Sequence, residues 1–160
     1  MLEAGSKVAL PDVLSYSEEL YPENFLSNLW HILKEEKMIE SVFHGEINNL
    51  NAFIKFMLSA LLFIGVNDDE IVAAAWLYNI TGKRAEIGLF VRRKYFAHRD
   101  MLFDLWKKFL DKVFDNFEIN RIVGYTHIRL KRTVLAFGFN IAGVIPAYFA
   151  NGDDALVVYI

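Results

Sequence analysis

The sequence predicts an α+β fold built on a mixed, mostly antiparallel sheet. Three observations carry this. Short apolar runs rich in branched residues alternate with turn signals in the middle and at the end of the chain, reading as strands. Three segments instead repeat their apolar residues at helical spacing. The stretch 85–116 joins the two patterns, with AEIGLFVRR as a strand, KYFAHRD as a cationic turn and MLFDLWKKFLDKVFDN as a helix.

The elements follow in order. Residues 7–10 read as a short strand stopped by Pro11, and Ser17 with Glu18 and Glu19 as a helix start. Phe25, Leu26, Leu29, Trp30 and Leu33 mark an amphipathic helix running to about Lys37. A turn is expected at His44-Gly45, and Asn49 is placed to cap a helix over 50–60. Runs 61–66 and 71–80 around Asn67-Asp68-Asp69 predict a hairpin. In its second strand, Val72, Ala74, Trp76 and Tyr78 should share one face, and Ala73, Ala75 and Leu77 the other. Thr81-Gly82-Lys83 then turns into a third antiparallel strand from Ala85.

The helix after that strand shows Leu102, Leu105, Trp106, Phe109, Val113 and Phe114 on its apolar stripe, with Asp100 as its expected N-cap. Residues 121–128 read as a strand parallel to the one at Ala85, because a helix joins them. A short helix over 129–137 should stop at Gly138. Strands 141–150 and 154–160 flank Asn151-Gly152-Asp153, a hairpin signal.

Composition narrows the function classes. A length of 160 residues suits one domain, and 54% hydrophobic residues can fill a large core. No apolar run is long enough to span a bilayer, and the first residues lack a signal-peptide pattern, so a cytoplasmic location is expected. The chain has no cysteine, which excludes disulfides, thiolate zinc sites and a cysteine nucleophile. His31, His44, His98 and His127 show no paired ligand spacing, so no metal is expected. Nucleic-acid binding would have to use Arg92 to Arg99 with Arg129, Lys131 and Arg132, against a net charge of −3.

The strand–loop–helix unit has its own chemistry. Free N–H groups and the dipole at a helix start attract anions. Arg92, Arg93, Lys94, His98 and Arg99 add charge at that place, or serve only as a solvated loop.

This succession of elements resembles the GCN5-related N-acetyltransferase (GNAT) fold over nearly the whole chain, a three-layer arrangement with helices on both sheet faces. AEIGLFVRRKYF resembles the family's fourth strand entering its acyl-CoA loop. RLKRTVLAFGFNIAGVIPAY resembles its late helix, ending here in Gly138-Phe139, and the hairpin ending in ALVVYI its last two strands. The resemblance implies an acetyltransferase that uses acetyl-CoA to acylate an amine or protein acceptor. It implies a cofactor site at Phe90, Val91, Arg92, Arg93, His98, Arg99, Asp100, Met101 and Leu102. A homodimer is compatible with it.

The sequence departs from the family pattern at three places. The loop motif, Arg/Gln-x-x-Gly-x-Gly/Ala, falls on residues 96–101, where Arg99 and Met101 fill the glycine positions. The tyrosine that serves many members as general acid is replaced by Val134, and Leu130 stands where a subset has serine. The asparagine often found before this helix becomes His127. Glu86 and His127 are the candidates for proton transfer; the alternatives are a solvent-side glutamate and a hydrogen-bonded strand-end histidine. Trp76 and Tyr78 either shape an acceptor pocket or belong to the core. These losses leave open a non-enzymatic binding or assembly module, like the small degenerate GNAT-like proteins of tailed phages.

Overall fold

The computed structural model describes residues 11–16 and 24–160. The expected strand over 7–10 and the helix start at Ser17 lie outside them. Among the described residues, β1 (Asp12–Ser15), β2 (Leu61–Asn67), β3 (Glu70–Thr81), β4 (Arg84–Val91), β5 (Arg121–His127), β6 (Asn140–Ile145) and β7 (Ala155–Tyr159) form one sheet in the order β1-β2-β3-β4-β5-β7-β6. Every pairing is antiparallel except β4 with β5, where the intervening helix returns the chain to the same end.

Helices cover both faces. On one lie α1 (Phe25–Glu35), α2 (Ile39–Phe43) and α3 (Leu50–Leu58), burying Phe25, Leu29, Leu33, Phe43, Phe53 and Met57 against Ile64, Trp76 and Phe90 of the sheet. On the other lies α4 (Arg99–Asn116), whose Leu105, Phe109 and Val113 meet Phe63, Leu77, Ala85 and Ile122. Phe114 sits at the margin of the stripe and is exposed. Beside α4, α5 (Lys131–Ala136) packs Val134 with Phe139, Leu156 and Val158, and the Trp106 indole N–H donates to the Phe137 carbonyl at 2.8 Å.

Local chemistry explains the turns. The β2–β3 loop is Asp68-Asp69 with both residues at positive φ, as a type I′ turn requires. Asn49 caps α3 by accepting from the Ala52 N–H at 2.9 Å. Gly138, at φ +87°, ends α5.

The structure corrects several expectations. Val72 is the extra residue of a bulge, because Gly65 pairs with Ala73 and Val66 with Ile71. The bulge resets the alternation, so Ile71 joins Ala74 and Trp76, while Val72 packs on the α4 side. The strand expected over 141–150 ends at Ile145, since Pro146 and Ala147 (φ +49°) leave the extended path. The start of α4 falls one residue before Asp100: His98 occupies the N-cap position without a side-chain bond, and Asp100 lies in the first turn. The short α2 was not expected, because one buried residue, Phe43, leaves no periodic pattern to read.

Candidate active site

The parallel pairing of β4 with β5 covers Arg84↔Arg121, Ala85↔Ile122 and Glu86↔Val123, then stops. Both strands continue, β4 to Val91 and β5 to His127, so they part into a wedge at the centre of the sheet. The Arg92 N–H donates to the Val72 carbonyl at 2.9 Å. By alternation, the backbone groups of Phe90 and Gly88 also face β3, and those of Leu89 and Val91 face the open wedge. Leu89 is 43% exposed although it lies on a central strand.

The wedge leads towards α4. A 3-10 turn over Arg93–Tyr95 brings the chain round from β4. The first bond closing α4 runs from the Leu102 N–H to the His98 carbonyl, so the N–H groups of Arg99, Asp100 and Met101 lack helical acceptors. Arg99 is exposed and makes no side-chain hydrogen bond or ion pair among the described residues. Met101 and Leu102 pack partly buried against the Leu105–Phe109 cluster. The Met101 side chain is therefore committed to the core side of the helix rather than to the loop.

Other members of the expected cofactor set have different roles. Phe90 is buried in the core under α1 to α3, and Val91 is half-buried. Arg92 Nε meets Glu36 Oε2 at 2.8 Å. The Arg93 N–H donates to Glu36 Oε1 at 2.7 Å, and its Nε to the Glu36 carbonyl at 3.1 Å. Glu36, just past the end of α1, thus engages both arginines. Lys94 Nζ meets Glu70 at 2.7 Å, and the Tyr95 hydroxyl donates to the same carboxylate. His98 is exposed, its ring 5.7 Å from that of Tyr95.

Glu86 and His127 lie on the sheet face that carries α1 to α3. Glu86 pairs across with Tyr78, and the Asn79 side-chain amide donates to its Oε2 at 3.0 Å. Asn79 stands at φ +46° in an irregularity between Tyr78 and Thr81, which turns its side chain back to β4. His127 ends β5; its Nδ1 is 3.6 Å from Asp153 and its ring stacks on Phe149 at 4.2 Å. Among the described residues, no hydrogen bond or ion pair joins Glu86 to His127. A cavity of ≈ 350 Å³ beyond His127 is lined also by Ile128, Arg129, Gly152, Asp153 and Asp154.

Sequence reasoning missed His44, Phe149, Tyr148 and Glu36. His44 sits at φ +54° after α2, with its ring 4.1 Å from Phe149 and 5.4 Å from His127. Burial and then His127 hold its imidazole below the ordinary value, with Glu40 acting the other way. Tyr148 stacks on Tyr125 at 5.0 Å. Only the turn signals at His44-Gly45 and Asn151-Gly152-Asp153 hinted that these loops matter.

Solved structures share this arrangement. A spermidine N-acetyltransferase from Vibrio cholerae, in complex with CoA and spermine, matches with a TM-score of 0.74 at 13% identity, over 94% of each chain. The aminoglycoside acetyltransferase AAC(6')-Ib, in complex with coenzyme A and kanamycin, matches at 0.67 and 14% identity, again over 94% of each chain. The chain has the GNAT fold. The microcin C7 self-immunity acetyltransferase MccE, in complex with acetyl-CoA and AMP, matches at 0.64 and 19% identity, over 93% of this chain and 92% of that one. No protein-family model and no curated protein matches the sequence.

Among the described residues of this GNAT fold, no helix is long and apolar enough to cross a membrane, and no group of three or more acidic or histidine side chains is set to hold a metal ion.

Proposed function

We propose that the protein is an acetyl-CoA-dependent N-acetyltransferase. The observation that carries this reading is the parting of β4 from β5 after Glu86 and Val123, with an uncapped helix start beyond the opened strand. Free backbone groups on β4 suit an amide-bearing ligand, and free N–H groups with Arg99 suit a pyrophosphate. Met101 does not argue against the fit, because its side chain packs inward. The structural neighbours solved with CoA or acetyl-CoA, two of them with spermine or kanamycin, support the same donor and an amine acceptor.

Bound acetyl-CoA would supply an acyl thioester. The backbone of Leu89 and Val91 would line it, and residues 98–102 with Arg99 would hold its phosphates. Glu86, with Oε2 steadied by Asn79, would accept a proton from the acceptor ammonium. His127 is the alternative proton carrier, oriented by Phe149 and Asp153. Val134 has no proton to give a leaving thiolate, so that proton would come from solvent or another residue.

The test is acetyl-CoA-dependent thiol release with a panel of amines. Release that requires both amine and wild-type Glu86 or His127 supports the reading; hydrolysis alone with every amine contradicts it. A second reading is a binding module that has lost catalysis. It is favoured by the commitment of Arg92 and Arg93 to Glu36, and it predicts no thiol release.

A further inference from the structure

The two edges of the sheet are finished differently. At one edge, β1 is four residues long and follows Pro11. The Tyr16 N–H donates to the Leu62 carbonyl, so by alternation the backbone groups of Val13 turn away from β2. Both are taken by side chains. The Val13 N–H donates to the Asp12 carboxylate at 2.8 Å, and Lys112 Nζ of α4 donates to the Val13 carbonyl at 2.7 Å. Lys108 likewise donates to the Pro11 carbonyl. A proline, a carboxylate and two lysines thus block this edge to a further strand.

At the other edge, β6 reads NIAGVI, without a charge or a proline. Ile122 of β5 and Ile160, just past β7, exchange both backbone bonds, which by alternation turns the groups of Leu156 towards β5. Val144, opposite Leu156, therefore turns its N–H and C=O to the free edge. Among the described residues no side chain bonds these groups; the nearest such bond, to the Ala147 N–H, comes from Asp154. Apolar side chains flank the open edge on both faces. Val144 lies on the α5 side with Leu156 and is 50% exposed, and Ile145, on the opposite face, is exposed too. Phe137 stands against Phe103 and Trp106 of α4. Leu135, about 200° away around the helix, points away from α4, towards β6, and is 48% exposed.

We propose that β6 is a self-association surface, on which a second copy of this chain lays its own β6 antiparallel and extends the sheet across a two-fold axis. An antiparallel pair is unchanged by a two-fold rotation, so one open edge satisfies itself. The Val144 backbone groups of each copy bond to the other, Leu135 and Val144 cover one face of the joint, and Ile145 covers the other. The composition of the strand favours a second copy over a foreign strand. Any charge near a two-fold axis meets its own like, and NIAGVI carries none although the chain as a whole has a net charge of −3. The inference is independent of the acetyltransferase reading.

The experiment is sedimentation equilibrium of the whole chain over a range of concentrations, with no ligand added. The wild type is expected at twice the chain mass. Val144→Lys, which puts like charges at the axis, should sediment at the single chain mass with an unchanged circular-dichroism spectrum. Ile80→Lys, at an exposed apolar position on β3 four strands from β6, should leave the dimer intact. Because the chain has no cysteine, linkage by a short bismaleimide reads the geometry directly. Val144→Cys should link one copy to another, and Ile80→Cys should not. A wild type that is monomeric throughout, a dimer that survives Val144→Lys, or linkage at Ile80→Cys rather than Val144→Cys overturns the proposal. If Val144→Lys fails to fold, the Val144→Cys linkage decides alone.

Discussion

Arg99 and Met101 occupy the two loop positions where the family resemblance has glycine, and they behave differently. Arg99 is exposed in the first turn of α4 without a side-chain partner among the described residues, and Met101 packs on the core cluster beneath the helix. Arg99→Ala should weaken acetyl-CoA binding about tenfold, the worth of one charge-assisted contact, with little change in melting temperature. Met101→Gly should instead lower stability, by about 1–3 kcal/mol, through lost packing and a helical glycine. Gly88 is fixed by its cross-strand neighbour, because a Cβ there would overlap the Trp76 indole. Gly88→Ala should cost about 1–3 kcal/mol of stability, read as a lower urea midpoint at unchanged slope. His44 makes the fold sensitive to acid. Its imidazole is held below histidine's ordinary value, first by burial and then by His127. Between that lowered value and the ordinary one near 6.5, the unfolded chain binds the proton that the folded chain refuses. The contribution is therefore complete above about pH 6.5 and is lost as pH falls. The melting temperature of His44→Gln should fall less than that of the wild type between neutral pH and about pH 5, and parallel curves would contradict this.

At the scale of elements, Glu36 joins the end of α1 to the loop that follows β4. It accepts from the Arg92 guanidinium and the Arg93 N–H, and its own carbonyl accepts from Arg93 Nε. Both side chains of the Glu36–Arg92 pair are mostly shielded from water, at 17% and 24% exposed. Glu36→Gln should cost about 1–2 kcal/mol in chemical denaturation, because a charge-assisted partner is lost from two donors. If α1 in this way sets the start of α4, the same variant should also weaken acetyl-CoA binding, though Glu36 need not touch the ligand. This clasp was not legible in the sequence, which placed Arg92 and Arg93 in a free cationic loop. A carboxylate 56 residues away in the chain leaves no spacing signal. The hairpins β2–β3 and β3–β4 were legible, because two-residue turns demand particular residues: Asp68-Asp69 at positive φ is the example. The Asn151-Gly152-Asp153 signal instead marks a turn inside the long β6–β7 connection. The end of β6 was misread, because branched residues at 141–145 continue into an aromatic stretch that the structure uses as a loop. Phe149, buried between His44 and His127, is apolar for the sake of that loop and not of a strand.

At the scale of the molecule, the antiparallel run β2-β3-β4 and the parallel neighbour β5 follow from patterns that survive in one sequence, whereas the edge place of β1 and the insertion of β7 between β5 and β6 do not. Period-two runs, tight turns and a helix linking β4 to β5 fix that central part of the sheet. The parting of those two strands is different. It depends on how many residues pair before they diverge, and nothing local in AEIGLFV or RIVGYTH marks the point after Glu86. We propose that the wedge is a donor site in which Arg99 takes over part of the role of the missing glycines. Calorimetric titration of acetyl-CoA into wild type and Arg99→Ala tests it most directly. One site per chain is expected in the wild type, with an affinity reduced about tenfold in the variant. Absence of binding to the folded wild type would contradict it.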